Sequence, residues 1–166
     1  SAEGNEANAW FGWSVSGAGD VNGDGFADVV IGAPNWDGGG AVDQGKAVLY
    51  LGSASGLATT PAWTYIGGET DASMGLSVSG AGDVNGDDID DFIIGAPLKD
   101  NPNGENTGSS FVIFGKTTGF DADLDVSSLD GSSGFRIDGA ISGSSFGNAV
   151  SAGDVNGDGF DDLIGG

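Results

Sequence analysis

The chain has no cysteine and no histidine among its 166 residues, and its only cationic side chains are Lys46, Lys99, Lys116 and Arg136. Those absences exclude disulfides, thiol chemistry, Ser-His and Cys-His nucleophiles and Cys/His zinc sites. Four bases against 25 acids leave a formal net charge of −21, which argues against nucleic acid and anionic membranes as partners and for a cation. No apolar run approaches the roughly 18 residues of a membrane-spanning helix, so no membrane insertion is expected. Glutamate is scarce as well, with four residues against 21 aspartates. The chemistry that remains is that of short carboxylates.

Glycine is abundant instead, 34 residues spread over the whole length, which favours tight turns between short strands and disfavours helix. The run Asp-Val-Asn-Gly-Asp starts at Asp20, recurs 63 residues later at Asp83 and again 71 residues later at Asp154. Each occurrence follows a short alternating segment (11–19, 74–82, 146–153) and precedes an apolar run (28–34, 91–97 and the shorter DLIGG at 162–166). Apolar runs of this kind suit strands buried on both faces. Further strands are expected at 46–53 and 62–68 in the first repeat, and at 109–116 and 134–139 in the second. The sequence therefore predicts an all-β chain of four-stranded antiparallel units, read as β-propeller blades because a sandwich has no reason to repeat its motif. The units are a tail of a preceding blade (1–10), a first repeat (11–73), a second (74–145) with an insert at 117–133 between its third and fourth strands, and a truncated third (146–166).

Phe11-Gly12, Met74-Gly75 and Phe146-Gly147 open the repeats, and Gly32-Ala33-Pro34 and Gly95-Ala96-Pro97 close the apolar runs of the first two. With GDVNGDG between them, the pattern resembles the FG-GAP repeat of integrin α-subunit propellers, in a style similar to the arrays of large secreted bacterial proteins. Met74 departs conservatively from the first signature, and the third repeat stops as DLIGG, one apolar residue short of the DFIIGAP pattern. The resemblance implies a ring of seven blades, so this chain is expected to supply an incomplete ring, completed by further blades in cis or in trans, the latter as a homo-oligomer.

The acidic loops carry an oxygen-only set at their first, third, fifth and ninth positions, with a backbone carbonyl available at the seventh. That set suits a hard cation taking six or more oxygens, namely Ca²⁺; Mg²⁺ would take fewer protein ligands and more water. The predicted ligands are Asp20, Asn22, Asp24, the Phe26 carbonyl and Asp28 in the first site, and Asp83, Asn85, Asp87, the Ile89 carbonyl and Asp91 in the second. The third comprises Asp154, Asn156, Asp158, the Phe160 carbonyl and Asp162. Without a cation, carboxylates about 4 Å apart would repel by about 4 kcal/mol per pair at an effective dielectric of about 20. The second site is expected to bind less tightly, because Asp88 stands where the other loops have a glycine in a left-handed turn. An EF-hand or dockerin is rejected: both need an acidic residue at loop position twelve, which here is Ile31, Ile94 or Gly165. The bland alternative, a merely solvated Asp/Asn/Gly turn, fits one loop better than three.

Trp13 and Trp63 fall in predicted strands, where packing accounts for them. The integrin resemblance places the calcium loops on one face and a partner-binding face opposite, which would carry Trp36, Asp37, Lys99 and Asn103 as contacts for a protein or glycan ligand. No enzymatic role is expected, since nearly all paired aspartates are already assigned as ligands and few glutamates remain for glycoside chemistry. The expected function is a calcium-binding, extracellular adhesion or protein-association module. Two alternatives stand beside it: a self-assembling structural subunit, and a non-catalytic accessory module of a secreted hydrolase.

Overall fold

The computed structural model describes residues 8–38, 40–120 and 124–166; the predicted blade tail at 1–10 lies mostly outside them. Among the described residues, ten strands form three antiparallel sheets. The first contains β1 (Ser14–Gly19), β2 (Asp28–Ala33), β3 (Lys46–Tyr50) and β4 (Trp63–Ile66), in that order. The second repeats it with β5 (Ser77–Gly82), β6 (Asp91–Ala96), β7 (Ser109–Ile113) and β8 (Gly134–Asp138). β9 (Val150–Gly153) and β10 (Asp162–Gly165) pair as the start of a third. The expected all-β, four-stranded blades are therefore present, and among the described residues they close no ring. No helix among these residues is long and apolar enough to cross a membrane.

The strands start later than the alternation of apolar residues suggests. Phe11-Gly12 precedes β1, Met74-Gly75 precedes β5 and Phe146-Gly147 precedes β9. Each pair lies in a turn, with Gly12, Gly75 and Gly147 at φ of 86°, 79° and 90°. Only glycine adopts that region without strain, which is why the strand cannot begin at the signature itself.

The two-residue period of the strands assigns their side chains to two layers. From the first sheet, Val30, Ala47, Leu49 and Trp63 turn toward the second sheet and meet Val78, Phe92, Ile94, Phe111 and Ile113 in one continuous core. Their neighbours Ile31, Val48 and Tyr50 take the opposite side, beside Phe11 and Val29. In the second sheet, Ile93 and Val112 face away from the first and pack with Val150, Ala152 and Leu163 of the third repeat. Central strands are thus apolar on both faces because each lies between two neighbours: every residue of β6 is buried. In β10, which pairs only with β9 among the described residues, Ile164 is 53% exposed.

The insert does more than lengthen a connection. Asp125 caps a single 3₁₀ turn, Val126–Ser128, by accepting a hydrogen bond from the Ser127 N–H at 2.8 Å. Val126 is buried, and Phe120, Leu124 and Leu129 pack on the core shared by the first two sheets. Trp63 of the first sheet donates its indole N–H to the Leu124 carbonyl at 3.3 Å, and Phe92 lies between the Trp63 ring (5.6 Å) and the Phe120 ring (6.0 Å). A segment of the second repeat therefore covers an aromatic side chain of the first. Residues 121–123 of the insert are not among those described.

Candidate functional site: three acidic hairpin loops

The acidic runs join β1 to β2, β5 to β6 and β9 to β10, at the end of each sheet opposite the β2–β3 and β6–β7 connections. All three fold alike. In the first, the Asp20 carboxylate accepts from the Asp24 N–H (3.0 Å) and the Gly25 N–H (2.7 Å). Asn22 accepts from the same Asp24 N–H through Oδ1 and donates from Nδ2 to Asp24 Oδ2, both at 3.0 Å. Asp24 Oδ1 in turn accepts from the Phe26 N–H at 3.0 Å. In the second loop Asp83 accepts from Gly86, Asp87 and Asp88, Asn85 from Asp87, and Asp87 from Ile89. In the third Asp154 accepts from Gly157, Asp158 and Gly159, Asn156 from Asp158, and Asp158 from Phe160. Short side chains reach the backbone two to five residues on, and this reach winds the loop tightly.

Asp88 takes φ of 66°, the left-handed conformation that Gly25 (88°) and Gly159 (92°) adopt at the same place. The second loop therefore carries a backbone cost the others lack.

The ninth-position aspartates differ from the rest. Asp28 and Asp91 are fully buried at the first residues of β2 and β6. Asp28 accepts from the Val21 N–H at 3.0 Å and the Gly52 N–H at 2.7 Å; Asp91 accepts from Val84 at 3.0 Å and Gly115 at 2.8 Å. Asp162 accepts from Val155 at 3.0 Å in a more open setting. Burial pushes the Asp91 carboxyl up to about 6; the Gly115 and Val84 N–H groups oppose that rise, and the Asp87 and Asp83 carboxylates add to it. Asp28 is raised by burial in the same way, with its two N–H partners opposing and Asp24 and Asp20 adding.

Among the described residues no three acidic side chains converge tightly enough to hold a metal ion; the first- and fifth-position carboxylates are turned to backbone N–H groups of their own loops. The donor set nevertheless fits a hard cation in its chemistry. It is built from oxygen, and in the first two loops it sets two carboxylates beside a buried third whose ionisation they oppose.

The residues expected to meet a partner lie at the other end of the sheets and are held internally. Trp36 is half-buried with the Lys46 ammonium 4.8 Å from its ring centre. Asp37 Oδ1 accepts from the Asp43 N–H. Lys99 forms an ion pair with Glu69 at 2.9 Å, tying the second repeat to the connection before β5, and Asn103 donates to the Gly139 carbonyl at 2.9 Å. Trp13 is 58% exposed and stacks on Trp10 at 4.8 Å, so it is not a packed strand residue as its predicted place in a strand implied; Trp63 is buried as expected.

A family profile described as FG-GAP repeat matches residues 11–50, 74–113 and 146–166, more than half of the chain. Similar proteins include integrin alpha-PS5 of Drosophila melanogaster, 32% identical over 96% of this chain and 15% of its own length. Human integrin alpha-10 is 39% identical over 54% of this chain and 8% of its own, and integrin alpha-7 of Rattus norvegicus is 38% identical over 54% and 7%. The chain thus spans a small part of the length of the relatives it matches.

Proposed function

Given that the chain belongs to the FG-GAP repeat family, we propose that it is a non-catalytic, calcium-binding propeller module of an extracellular adhesion or association protein. The observation that carries the reading is the threefold recurrence of one loop. Three times, a first, fifth and ninth aspartate and a third asparagine stand at the turn into an apolar strand, with the ninth buried in two cases. Asp20, Asn22, Asp24 and Asp28, with the Phe26 carbonyl, would hold the first ion. Asp83, Asn85, Asp87, Asp91 and Ile89 would hold the second, and Asp154, Asn156, Asp158, Asp162 and Phe160 the third. A bound ion replaces the mutual repulsion of each carboxylate set by attraction to one centre and fixes the turn between the first two strands of a blade. Millimolar extracellular calcium suits open loops of this kind. Similarity to integrin alpha chains supports the adhesion role and a protein or glycan ligand at the end of the sheets opposite the loops. Further blades, in cis or from other copies, would cover the outer faces.

Equilibrium dialysis against calcium followed by metal analysis tests this reading. Three ions per chain are expected, falling by one in each of Asp24→Ala, Asp87→Ala and Asp158→Ala. Fewer than two ions in the unaltered chain would overturn it.

A further inference from the structure

Asp90 and Asp161 occupy the eighth loop position and belong to none of the three ligand sets. Because successive side chains leave an extended backbone on opposite sides, Asp90 points away from its neighbour Asp91. Its Oδ2 accepts a hydrogen bond from the backbone N–H of Asp20, the first residue of the preceding loop, at 2.7 Å across 70 residues of sequence. Gly19 makes room for it: at φ of 81°, a Cβ there would collide with the Asp90 carboxylate. The seat recurs one repeat on, where a Cβ on Gly82 would overlap Asp161 Oδ2. The first loop has Ala27 at that position. Each of the later two loops thus reaches back to the one before it.

A second connection runs beside the first. Asp91 accepts from the Gly115 N–H at 2.8 Å, the adjacent Lys116 N–H donates to the Val21 carbonyl at 2.9 Å, and the Val21 N–H donates to Asp28 at 3.0 Å. The buried ninth-position carboxylates of the two loops are therefore joined through three hydrogen bonds and two short backbone steps. Of the two ends of the first ligand set, Asp20 is held directly from the second repeat, and Asp28 is linked to it through Val21.

We propose that Asp90 is a positioning residue that couples the first two acidic loops, so that calcium binding in the second raises the affinity of the first. This rests on the calcium reading above. Gathering Asp83, Asp87 and Asp91 about an ion fixes the backbone from which Asp90 projects, and Asp90 then holds Asp20 where the first ion needs it. Ordering paid for at one site lowers what the other must pay.

Calorimetric calcium titration of the unaltered chain, Asp90→Ala, Asp90→Asn, Asp87→Ala and the Asp87→Ala/Asp90→Ala pair tests the coupling. Asp90→Ala is expected to bind as many ions at saturation as the unaltered chain, with one site weakened roughly five- to tenfold, at the low end of measured site couplings, and a shallower binding curve. Asp90→Asn keeps an oxygen facing the Asp20 N–H and should restore most of that affinity, which a loss of overall stability would not predict. Asp87→Ala should lose one ion and weaken another; in the Asp90→Ala background it should lose one ion and weaken none further. A missing ion in Asp90→Ala would make Asp90 a ligand and overturn the proposal. So would an unchanged curve, or an Asp87→Ala chain whose remaining sites keep full affinity. If the unaltered chain takes up no calcium, it is the calcium reading that fails.

Discussion

The carbonyl oxygen of Gly75 sits where a Cβ on Gly32 would be, and it accepts the Ser14 hydroxyl at 2.7 Å. The Gly147 carbonyl stands in the same relation to Gly95 and Ser77, at 2.8 Å. Within its own repeat, the Gly75 N–H donates to the Gly95 carbonyl at 2.9 Å. The glycine that opens one repeat is thus bonded to the glycine closing its own second strand and packed on the corresponding glycine of the repeat before. Both halves of the sequence signature serve one junction between neighbouring blades.

Gly32→Ala and Gly12→Ala separate the two demands on these glycines. At Gly12, φ is 86° and nothing lies within 4 Å of an added Cβ, so the cost is conformational strain alone, about 1–2 kcal/mol. Gly32→Ala must displace the backbone of the next repeat and should cost about 1–3 kcal/mol or more, with Ser14→Ala costing about 1 kcal/mol. Urea denaturation of the three variants checks the order; equal stability of Gly32→Ala and the unaltered chain would contradict the junction.

Trp63 is expected to report the insert. Trp63→Phe keeps an aromatic ring and loses the hydrogen bond to Leu124, for a cost of about 1 kcal/mol plus some lost packing. Trp63→Ala and Phe92→Ala should each cost about 3–5 kcal/mol, since both rings are buried in the core between the sheets. Denaturation midpoints measure both, and a mild Trp63→Ala variant would show that the insert and the first sheet are not packed together.

Tyr65 supplies a pH dependence. Burial, and then the Asp125 carboxylate that shares its hydrogen bond, push its hydroxyl up to about 12 from an ordinary 10.0. The folded chain therefore holds this proton more tightly than the unfolded one. Its stabilisation is complete below pH 10.0 and is lost as pH rises toward about 12. Ultraviolet titration of the phenolates should show late ionisation, with Asp125→Asn bringing Tyr65 partway back. Tyr50, raised by burial alone, should not respond to that substitution.

The architecture was legible because its signals are local and repeated. Alternation and β-branched runs located the strands, and the glycine at the sixth loop position marked the left-handed turn that Asp88 adopts at 66°. Strand starts were misplaced at Phe11, Met74 and Phe146 because the alternation of small and apolar residues runs on through the turn before it. What the sequence hid is long-range. The partner of Asp90 lies 70 residues away and that of Lys99 lies 30 away, and neither carries a local pattern. The insert shows no periodicity to announce Leu124 and Val126 as cover for Trp63. The ion pair of Lys99 with Glu69 and the bond from Asn103 to the Gly139 carbonyl likewise carry no signal in the sequence around them.

Thermal unfolding across a calcium series, with bound metal measured in parallel, tests the central claim most directly. Each calcium ion that binds only the folded chain should add about 2.7 kcal/mol when free calcium stands at about a hundred times its dissociation constant. The account predicts a melting temperature that climbs with calcium and drops sharply on chelation, by less in Asp24→Ala than in the unaltered chain. A melting curve that stays in place while metal analysis confirms that the ion has been removed would contradict it.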